Sequence, residues 1–364
     1  MRGVRFELTQ VKCYSFELSK SMKTIHNTAC DAARSRRCVL FPGALGDFIC
    51  FLPALQDLAR DADVDLFAHS EFAEIAPSGV NVGSLERYEI GRLFVGDCAD
   101  DERLQIFFDA YQSVYSWMGS RVDNFVRRLR SRYGGNAKIF PFRSNDPTVH
   151  QVDYYLSCLN RPITVSIQPE IGLRPEAIRW CEDFWAQHSL SGRRVMVIAP
   201  GSGAREKNWP EQYFLTVTDW WRETTGGVIV LLLGPVEAER VGVERLRKAC
   251  LVASDLTLSQ VAAVLRCADL YLGNDSGISH LAAALGARTV ALFGPSDARQ
   301  WGPRGKRVTV VRRNIECSPC QNSTMKSCPH HACLTELRPS DVIDRIATLA
   351  QVVTLTRVEA GIKV

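Results

Sequence analysis

The segment Gly273-Asn274-Asp275-Ser276-Gly277-Ile278-Ser279-His280 lies between an apolar stretch, Asp269 to Leu272, and an alanine-rich stretch that continues to Leu285. This pattern predicts a strand, a tight turn and a helix. Asp or Ser at a helix start supplies side-chain caps, and glycine lets the backbone come close to a ligand. Because the N–H groups of a first helical turn attract anions, we expect a phosphate-binding turn, with His280 one helical turn further along. Taken alone, the pattern also fits an ordinary capped helix.

Alternating strands and helices extend from this turn through the C-terminal half of the chain. The predicted strands are Val195–Ala199, Val228–Leu233 and Thr289–Phe293, and the predicted helices are Pro210–Thr225, Val236–Cys250, Leu256–Cys267 and Gly277–Leu285. A less regular series in the N-terminal half has strands at Cys38–Phe41 and Val64–Ala68, a helix at Asp47–Arg60, and shorter strand candidates near Ser113–Trp117 and Ala137–Phe140. Apolar strands without in-out alternation, joined by helices, indicate parallel sheets covered on both faces. The predicted fold is α/β, with two Rossmann-like domains facing a central cleft.

Proline and glycine divide the two series. Pro162, Pro169, Gly172 and Pro175 cluster where the pattern breaks, and this segment is the candidate linker. A length of 364 residues also favours two domains. We therefore expect an N-terminal extension (1–36), a first domain (37–170) and a second domain (171–364).

Composition restricts the class of protein. The chain is 46% hydrophobic and 23% charged, as in globular proteins, and its net charge of +4 does not indicate a nucleic-acid partner. No apolar run approaches the roughly 20 residues of a membrane span, and the N-terminus lacks the apolar core of a secretion signal. Most of the thirteen cysteines are scattered through apparent strands and helices, which is typical of reduced thiols. A cytoplasmic protein is expected.

Two further segments of the second half follow predicted strands. Pro200-Gly201-Ser202-Gly203, with Lys207 shortly after it, suits a phosphate, although a flexible loop with a solvated lysine fits equally well. Glu237 follows the strand that ends at Leu233, where its carboxylate can accept hydrogen bonds from a ribose diol. A solvated first-turn residue is the simpler explanation of Glu237.

The first half begins with a glycine-containing loop, Phe41 to Asp47. The dinucleotide pattern G-x-G-x-x-G is absent, and Asp47 follows Gly46 directly. A carboxylate at that helix start would repel a pyrophosphate, so we do not expect this loop to bind phosphate. Asp47 at the rim of the cleft suits a general base for an acceptor hydroxyl, although a helix N-cap is the simpler alternative.

These segments together resemble glycosyltransferase family 9, the bacterial ADP-heptose:lipopolysaccharide heptosyltransferases. The resemblance includes Gly43 to Leu55, Pro200 to Pro210, Leu233 to Glu237 and, as the longest motif, Gly273 to Pro295. It covers the chain from about Arg37 to the C-terminus. The resemblance implies a GT-B fold and an inverting transfer from a nucleotide-activated sugar that requires no cofactor.

Carried over position by position, the resemblance assigns roles. Asp47 corresponds to the catalytic base, with Gly43 and Gly46 in the acceptor-side loop. The donor-binding positions, comprising the 200–210 loop, the ribose ligand and the diphosphate turn, are Ser202, Lys207, Glu237, Asp275, Ser276, Gly277 and His280. The implied partners are ADP-heptose as donor and a lipopolysaccharide-core or other bacterial glycan as acceptor. The implied location is the cytoplasm, including the cytoplasmic face of the inner membrane.

A cysteine-rich loop departs from the simplest family pattern. Cys317, Cys320, Cys328 and Cys333 lie within 317–333, beside His330 and His331. Such spacing can hold a structural zinc or iron, and plain reduced cysteines fit it equally well.

An arginine-rich helix is predicted at Arg121 to Tyr133. A solvated face is the simpler interpretation of its arginines, and an anionic acceptor at a membrane surface is the functional one.

Two other functions remain open from the sequence. One is a GT-B enzyme that uses another nucleotide sugar, including an epimerase. The other is a non-catalytic relative that binds a nucleotide sugar, for which a carboxylate at Asp47 would have no purpose. The sequence indicates neither the sugar nor the oligomeric state.

Overall fold

The computed structural model describes residues 34–96, 101–161, 169–234, 242–320 and 322–359. Most of the predicted extension, the middle of the predicted linker and Glu237 lie outside these ranges. The first strand begins at Ser35, so it includes the last two residues of the predicted extension. The predicted boundary at residues 170 and 171 stays a prediction.

The first half of the chain forms a parallel sheet of five strands. In chain order the strands are β1 (Ser35–Leu40), β2 (Ala62–Ala68), β3 (Val80–Ser84), β4 (Ser113–Ser116) and β5 (Ala137–Ile139). The helices are α1 (Leu45–Ala59), α2 (Tyr88–Gly91), α3 (Glu102–Asp109), α4 (Asp123–Tyr133) and α5 (Gln151–Cys158). The spatial order is β3-β2-β1-β4-β5. Strands β2 and β3 are therefore added on one side of β1, and β4 and β5 on its other side. The strand order changes direction between β1 and β4.

The second half forms a parallel sheet of six strands. These are β6 (Val195–Ala199), β7 (Val228–Leu233), β8 (Leu251–Ser254), β9 (Leu270–Asn274), β10 (Thr289–Phe293) and β11 (Val308–Arg312). The helices are α6 (Pro175–Gln187), α7 (Glu211–Thr225), α8 (Glu244–Ala249), α9 (Leu258–Cys267), α10 (Gly277–Ala284), α11 (Ala298–Trp301), α12 (Asn322–Ser327), α13 (Ala332–Thr335) and α14 (Pro339–Glu359). The order β11-β10-β9-β6-β7-β8 repeats the doubly wound arrangement, with its reversal between β6 and β9.

The α/β fold with two parallel sheets is confirmed. The strands predicted at 195–199, 228–233 and 289–293 have the predicted bounds. The predicted helix Val236–Cys250 is wrong at Gly242 and Val243, because the described helix begins only at Glu244 and Gly242 has a φ of +118°. Strand β9 continues through Gly273 to Asn274, two residues beyond the prediction.

A continuous apolar core joins the two sheets. Phe48 and Leu52 of α1 belong to the same buried cluster as Ala262 of α9 and Leu281 of α10. A further bond crosses the cleft, because the Glu74 carboxylate accepts the backbone N–H of Ser259 at the start of α9 at 2.9 Å. Helices α1 and α10 therefore meet as parts of one packed body.

Surface and cysteine features complete the fold. In the part of the chain that the structure describes, no helix is both long enough and apolar enough to cross a membrane. None of the ten described cysteines forms a disulfide.

In α4, Arg128 donates to the carbonyl oxygens of Arg92 and Gly96, and Arg132 pairs with Asp109. These two arginines are therefore engaged by the protein itself.

Candidate active site

The predicted site residues lie where the strand order of each sheet changes direction. In doubly wound sheets, ligands bind outside the carboxyl ends of the strands at this point. Asp47 lies in the first turn of α1, which follows β1. The turn from Asp275 to Gly277 follows β9, and the loop that contains Lys207 follows β6. Helix packing then brings these three segments from the two halves to one cleft.

The turn between β9 and α10 presents a helix N-terminus to the cleft. Ser276 is the N-cap residue, but its side chain makes no capping hydrogen bond, contrary to the sequence prediction. The first N–H groups of a helix have no partner within the helix, and they carry the positive end of its dipole. This N-terminus is therefore suited to an anion, whereas the hydroxyl oxygen of Ser276 is buried without a hydrogen-bond partner among the described residues.

Lys207 and Asn274 tie the 200–210 loop to this turn. Nζ of Lys207 lies 2.7 Å from Oδ2 of Asp275. The side chain of Asn274 accepts the N–H of Trp209 at 3.1 Å and donates to the carbonyl oxygen of Pro200 at 2.7 Å. The buried Asn274 thus fixes the position from which Lys207 reaches the turn.

Asp47 is a buried carboxylate that faces a cation. Only 7% of the residue is exposed, and Nη2 of Arg143 lies 3.2 Å from each of its carboxylate oxygens. Burial raises the pKa of Asp47, while Arg143, the N–H of Ala44 and Lys207 oppose the increase. The N-cap of α1 is Ala44, so the alternative of Asp47 as N-cap is wrong.

His280 lies between α10 and α1. Its Nδ1 is 3.6 Å from Sγ of Cys50. Burial, together with the charges of His150 and Lys207, lowers the pKa of His280 to about 4, against an opposing effect of Asp275. At neutral pH the imidazole is therefore uncharged. It contributes hydrogen bonding to this region and no positive charge.

A cavity of about 670 Å³ brings most predicted site residues together. Its lining includes Gly46, Asp47, Lys207, Asp275, Ser276, Gly277 and His280. A smaller cavity of about 290 Å³ shares Gly46, Ser276 and Gly277 with it and is lined on its far side by apolar residues such as Leu232 and Val261. Ser202 lines only this smaller cavity, where its hydroxyl is 2.6 Å from the Asn208 side-chain oxygen.

Gly43 does not line either cavity. Its backbone packs against the ring of Phe41, which leaves no space for a side chain. Of the two predicted glycines of the acceptor-side loop, only Gly46 lines the cavities, and it contacts Gly277 across the cleft. The acceptor-side role of both glycines stays a prediction.

The cysteine-rich loop forms part of the cavity wall. Pro319, Cys320 and Met325 line the larger cavity, and the N–H of Cys320 donates to the carbonyl oxygen of Pro295 at 2.7 Å. Cys333 is packed in the apolar core of the second half. Among the described residues, no group of three or more His, Cys, Asp or Glu side chains is arranged to hold a metal ion. Cys317, Cys320 and Cys328 nevertheless lie near Cys333, because their charges add to the effect of burial in raising its pKa. The predicted ligand set therefore shares one region of the described structure, but without the arrangement of a metal site.

Sequence reasoning missed Arg143 and Trp301. Cζ of Arg143 lies 4.8 Å from the ring centre of Trp301, which belongs to the second half. Neither residue lies in a recognisable motif, so the sequence carries no signal that pairs them.

The two facing doubly wound sheets, with a phosphate-suited turn in the cleft, are those of a GT-B glycosyltransferase.

Comparisons with known proteins agree with this class. The sequence profile of "Glycosyltransferase family 9 (heptosyltransferase)" matches residues 143–330, just over half of the chain. The lipooligosaccharide heptosyltransferase 2 of Campylobacter jejuni is 28% identical over 328 residues, which is 85% of this chain and 96% of the relative. The chain belongs to glycosyltransferase family 9, and it is a glycosyltransferase enzyme.

Solved structures share the fold. A family 9 glycosyltransferase from Veillonella parvula superposes with a TM-score of 0.68 at 21% identity, covering 86% of this chain and 97% of that one. The Escherichia coli heptosyltransferase WaaC with ADP-2-deoxy-2-fluoro heptose gives a TM-score of 0.55 at 21% identity, covering 86% and 99%. The GT-B architecture of the described residues is therefore the architecture of this family.

Proposed function

We propose that this glycosyltransferase moves heptose from ADP-heptose onto a lipopolysaccharide- or lipooligosaccharide-core acceptor, with inversion and with Asp47 as general base. One observation carries the proposal: Asp47, from the first half, and the N-terminus of α10, from the second, line the same cavity. A base for the acceptor and a site for the leaving group are the two functions that a direct displacement requires.

The diphosphate of the donor is assigned to the N-terminus of α10. The N–H groups of its first turn and the ammonium group of Lys207 offset the charge that develops on the departing ADP. Asp275 orients Lys207 through their 2.7 Å contact. Because these protein groups meet the leaving-group charge, we propose that transfer requires no cofactor.

The nucleoside is assigned to the smaller cavity. Its apolar walls suit a base, and Ser276 and Gly277 connect it to the diphosphate site. Ser202 lies on this side, and Glu237, outside the described residues, is proposed as the ribose ligand. The WaaC structure, which holds an ADP-heptose analogue, supports ADP as the nucleotide.

The reaction then proceeds in one displacement. The acceptor hydroxyl donates its proton to Asp47 while its oxygen bonds to the anomeric carbon, and the bond from that carbon to the diphosphate oxygen breaks. Burial, which raises the pKa of Asp47, makes its carboxylate a better proton acceptor than a solvated one.

The acceptor assignment rests on the relatives. The Campylobacter jejuni protein is a lipooligosaccharide heptosyltransferase. We propose that the acceptor of this chain is a core glycolipid, that the reaction takes place at the cytoplasmic face of the inner membrane, and that the protein contacts this membrane peripherally.

Transfer from ADP-heptose to heptose-free lipooligosaccharide core tests the proposal. We expect the wild type to release ADP and to increase the acceptor mass by one heptose. Asp47→Asn is expected to lower kcat by about 100-fold or more without changing the Kd for ADP. Asp61→Asn, which changes an exposed carboxylate of the same half, is the matched control. Full activity of Asp47→Asn would refute the mechanism, and interconversion of ADP-heptose without acceptor would indicate an epimerase instead.

A further inference from the structure

Arg143 lies at the junction of the two halves, beside Asp47. Its Nη2 is 3.2 Å from both carboxylate oxygens of Asp47, and its Cζ lies 4.9 Å from the ring centre of Phe142 and 4.8 Å from that of Trp301. Its side chain is still 49% exposed. Within the described ranges, its Nε and Nη1 have no hydrogen-bond acceptor. The cation therefore keeps unused donors at the edge of a cavity that is open to ligands.

The ion pair between Arg143 and Asp47 opposes the role of Asp47 as a general base. An acceptor hydroxyl that donates to Asp47 must approach the same two oxygens that Arg143 contacts. A neighbouring cation also stabilises the ionised carboxylate and weakens it as a proton acceptor. A carboxylate has about four acceptor sites, so a hydroxyl can bind Asp47 beside Arg143. Proton transfer to Asp47 is nevertheless favoured when Arg143 loosens its contact with the carboxylate.

We propose that Arg143 is a positioning residue for the acceptor: it holds Asp47 in the acceptor-free enzyme and binds an anionic group of the acceptor, next to the reacting hydroxyl, during transfer. This inference rests on the proposed function, because it takes Asp47 as the base. It adds a substrate requirement, a carboxylate or phosphate close to the hydroxyl that is glycosylated.

The charge balance of the reaction supports an anion. When Asp47 takes the acceptor proton, its carboxylate becomes neutral and Arg143 loses its counter-charge. The nearby Lys207 is itself a cation, and the carboxylate of Asp275 is already paired with it, so neither residue replaces the lost counter-charge. An anion on the acceptor restores the balance at the moment when Asp47 is protonated.

The surroundings of Arg143 also restrict how a partner can reach it. The ring centres of Phe142 and Trp301 lie 4.9 and 4.8 Å from Cζ of Arg143, so a partner approaches from the side that the rings leave open, where Arg143 lines the larger cavity. Carboxylates and phosphates bind arginine in the guanidinium plane through two parallel hydrogen bonds. A hydroxyl of a neutral sugar does not make such a pair.

Modified acceptors test the requirement. Full-length enzyme is assayed with ADP-heptose and three preparations of heptose-free lipooligosaccharide core: untreated, methyl-esterified at its carboxyl groups, and dephosphorylated. We expect one treatment to raise the acceptor KM of the wild type by about tenfold or more, and its identity distinguishes carboxylate from phosphate. Arg143→Gln is expected to show the higher KM with untreated acceptor and no further response to that treatment. A wild type that is indifferent to both treatments would overturn the proposal.

The pH dependence of kcat/KM gives a second readout, which a purely structural role would not change. The charged or titratable groups that face Asp47 are Arg143, Lys207, Cys50 and Tyr155. Of the two cations, Arg143 alone contacts the carboxylate directly. Arg143→Gln removes this cation, so the acidic limb of the profile is expected to move to higher pH by about one pH unit. Arg143→Lys, which keeps the charge, is expected to restore the limb but only part of the acceptor KM.

The controls separate this inference from the proposed function. Arg179→Gln, at an exposed arginine of α6, is expected to behave as the wild type in both assays. If Asp47→Asn stays fully active, the proposed function fails and the inference fails with it. If Asp47→Asn is inactive while Arg143→Gln keeps the wild-type acceptor KM and pH profile, only the role of Arg143 is refuted.

Discussion

Gly46 and Gly277 bring the first turns of α1 and α10 into direct contact across the cleft. A Cβ added to Gly277 would lie 2.9 Å from the backbone nitrogen of Gly46 and 2.8 Å from Cβ of Leu45. Real Cβ atoms do not approach backbone this closely, so a side chain at Gly277 would separate the helices. The distance between Asp47, one residue beyond Gly46, and the phosphate-suited turn depends on this contact.

Gly277→Ala is therefore expected to destabilise the protein and to impair donor binding together. The new methyl group must push α1 away from α10, and overpacking of this kind costs about 1–3 kcal/mol. Thermal unfolding and ADP titration of the same preparations measure the two effects.

Two other glycines provide graded controls for this experiment. A Cβ on Gly46 would meet Cα of Gly277 at 3.5 Å, an ordinary contact, so Gly46→Ala should cost less. A Cβ on Gly135 would have no atom within 4 Å, so Gly135→Ala should leave Tm and ADP binding unchanged. Equal effects of Gly277→Ala and Gly135→Ala would contradict the packing argument.

How much of the fold the sequence predicts depends on burial. Strands β6, β7 and β10 are almost wholly buried, and their apolar runs predict them with the right bounds. Strands β3, β8 and β11 were not predicted. Each lies at the edge of a sheet and is only partly buried. Polar residues interrupt the sequences of β3 and β11, and the short apolar run of β8 directly follows the predicted helix that ends at Cys250.

The candidate site shows the same limit in another form. Asp275, Ser276 and Gly277 follow one strand directly, so the local pattern predicts their position. The contact between Arg143 and Asp47 joins segments that only the packed fold brings together. Tertiary packing, which a single sequence does not reveal, therefore determines the acceptor side of the cleft.

The ion pair of Lys207 and Asp275 predicts a separable effect on stability and binding. The Asp275 side chain is 8% exposed, so Lys207→Met leaves a buried carboxylate without its cation. We expect this variant to lose on the order of 1–3 kcal/mol of stability and to bind ADP at least tenfold more weakly. Urea unfolding and calorimetric titration with ADP measure the two quantities.

A double variant separates the causes. Lys207→Met combined with Asp275→Asn removes the unpaired charge, so stability should return towards the wild-type value. ADP affinity should remain low, because the cation for the diphosphate is still missing. Recovery of ADP affinity in the double variant would show that Lys207 does not contact the donor.

The cysteine-rich loop is expected to be held by backbone bonds and packing. Cys320 Sγ lies 3.0 Å from the carbonyl oxygen of Cys317, and Cys328 Sγ accepts the N–H of His331 at 3.4 Å. Cys333 is 4% exposed in an apolar cluster, so Cys333→Ala should lower the free energy of unfolding by about 1 kcal/mol, and a chelator should not change Tm. Cys317→Ala, at an exposed position, is the control. Stoichiometric zinc or iron, with a fall in Tm on chelation, would contradict this prediction.

The two buried histidines at the junction of the halves predict a loss of stability in acid. Burial lowers the pKa of His280 to about 4, and burial also lowers the pKa of His150, whose Nε2 lies 2.8 Å from the carbonyl oxygen of Gly302. In the unfolded chain a histidine has a pKa of about 6.5. Between these values the unfolded chain binds more protons than the folded one, so the free energy of unfolding falls as the pH decreases.

Substitution of His280 should reduce this dependence. The contribution of His280 is complete above about pH 6.5 and is lost towards pH 4, with a slope of up to about 1.4 kcal/mol per pH unit. Urea unfolding of the wild type and of His280→Asn between pH 4 and pH 8 measures the slopes. The two curves should run parallel above pH 7, whatever constant difference the substitution introduces, and at lower pH the wild-type curve should fall more steeply than that of His280→Asn. Curves that stay parallel down to pH 4 would mean that His280 is protonated as easily in the folded protein as in the unfolded chain. The site between Cys50 and the phosphate-suited turn would then not exclude water from the imidazole.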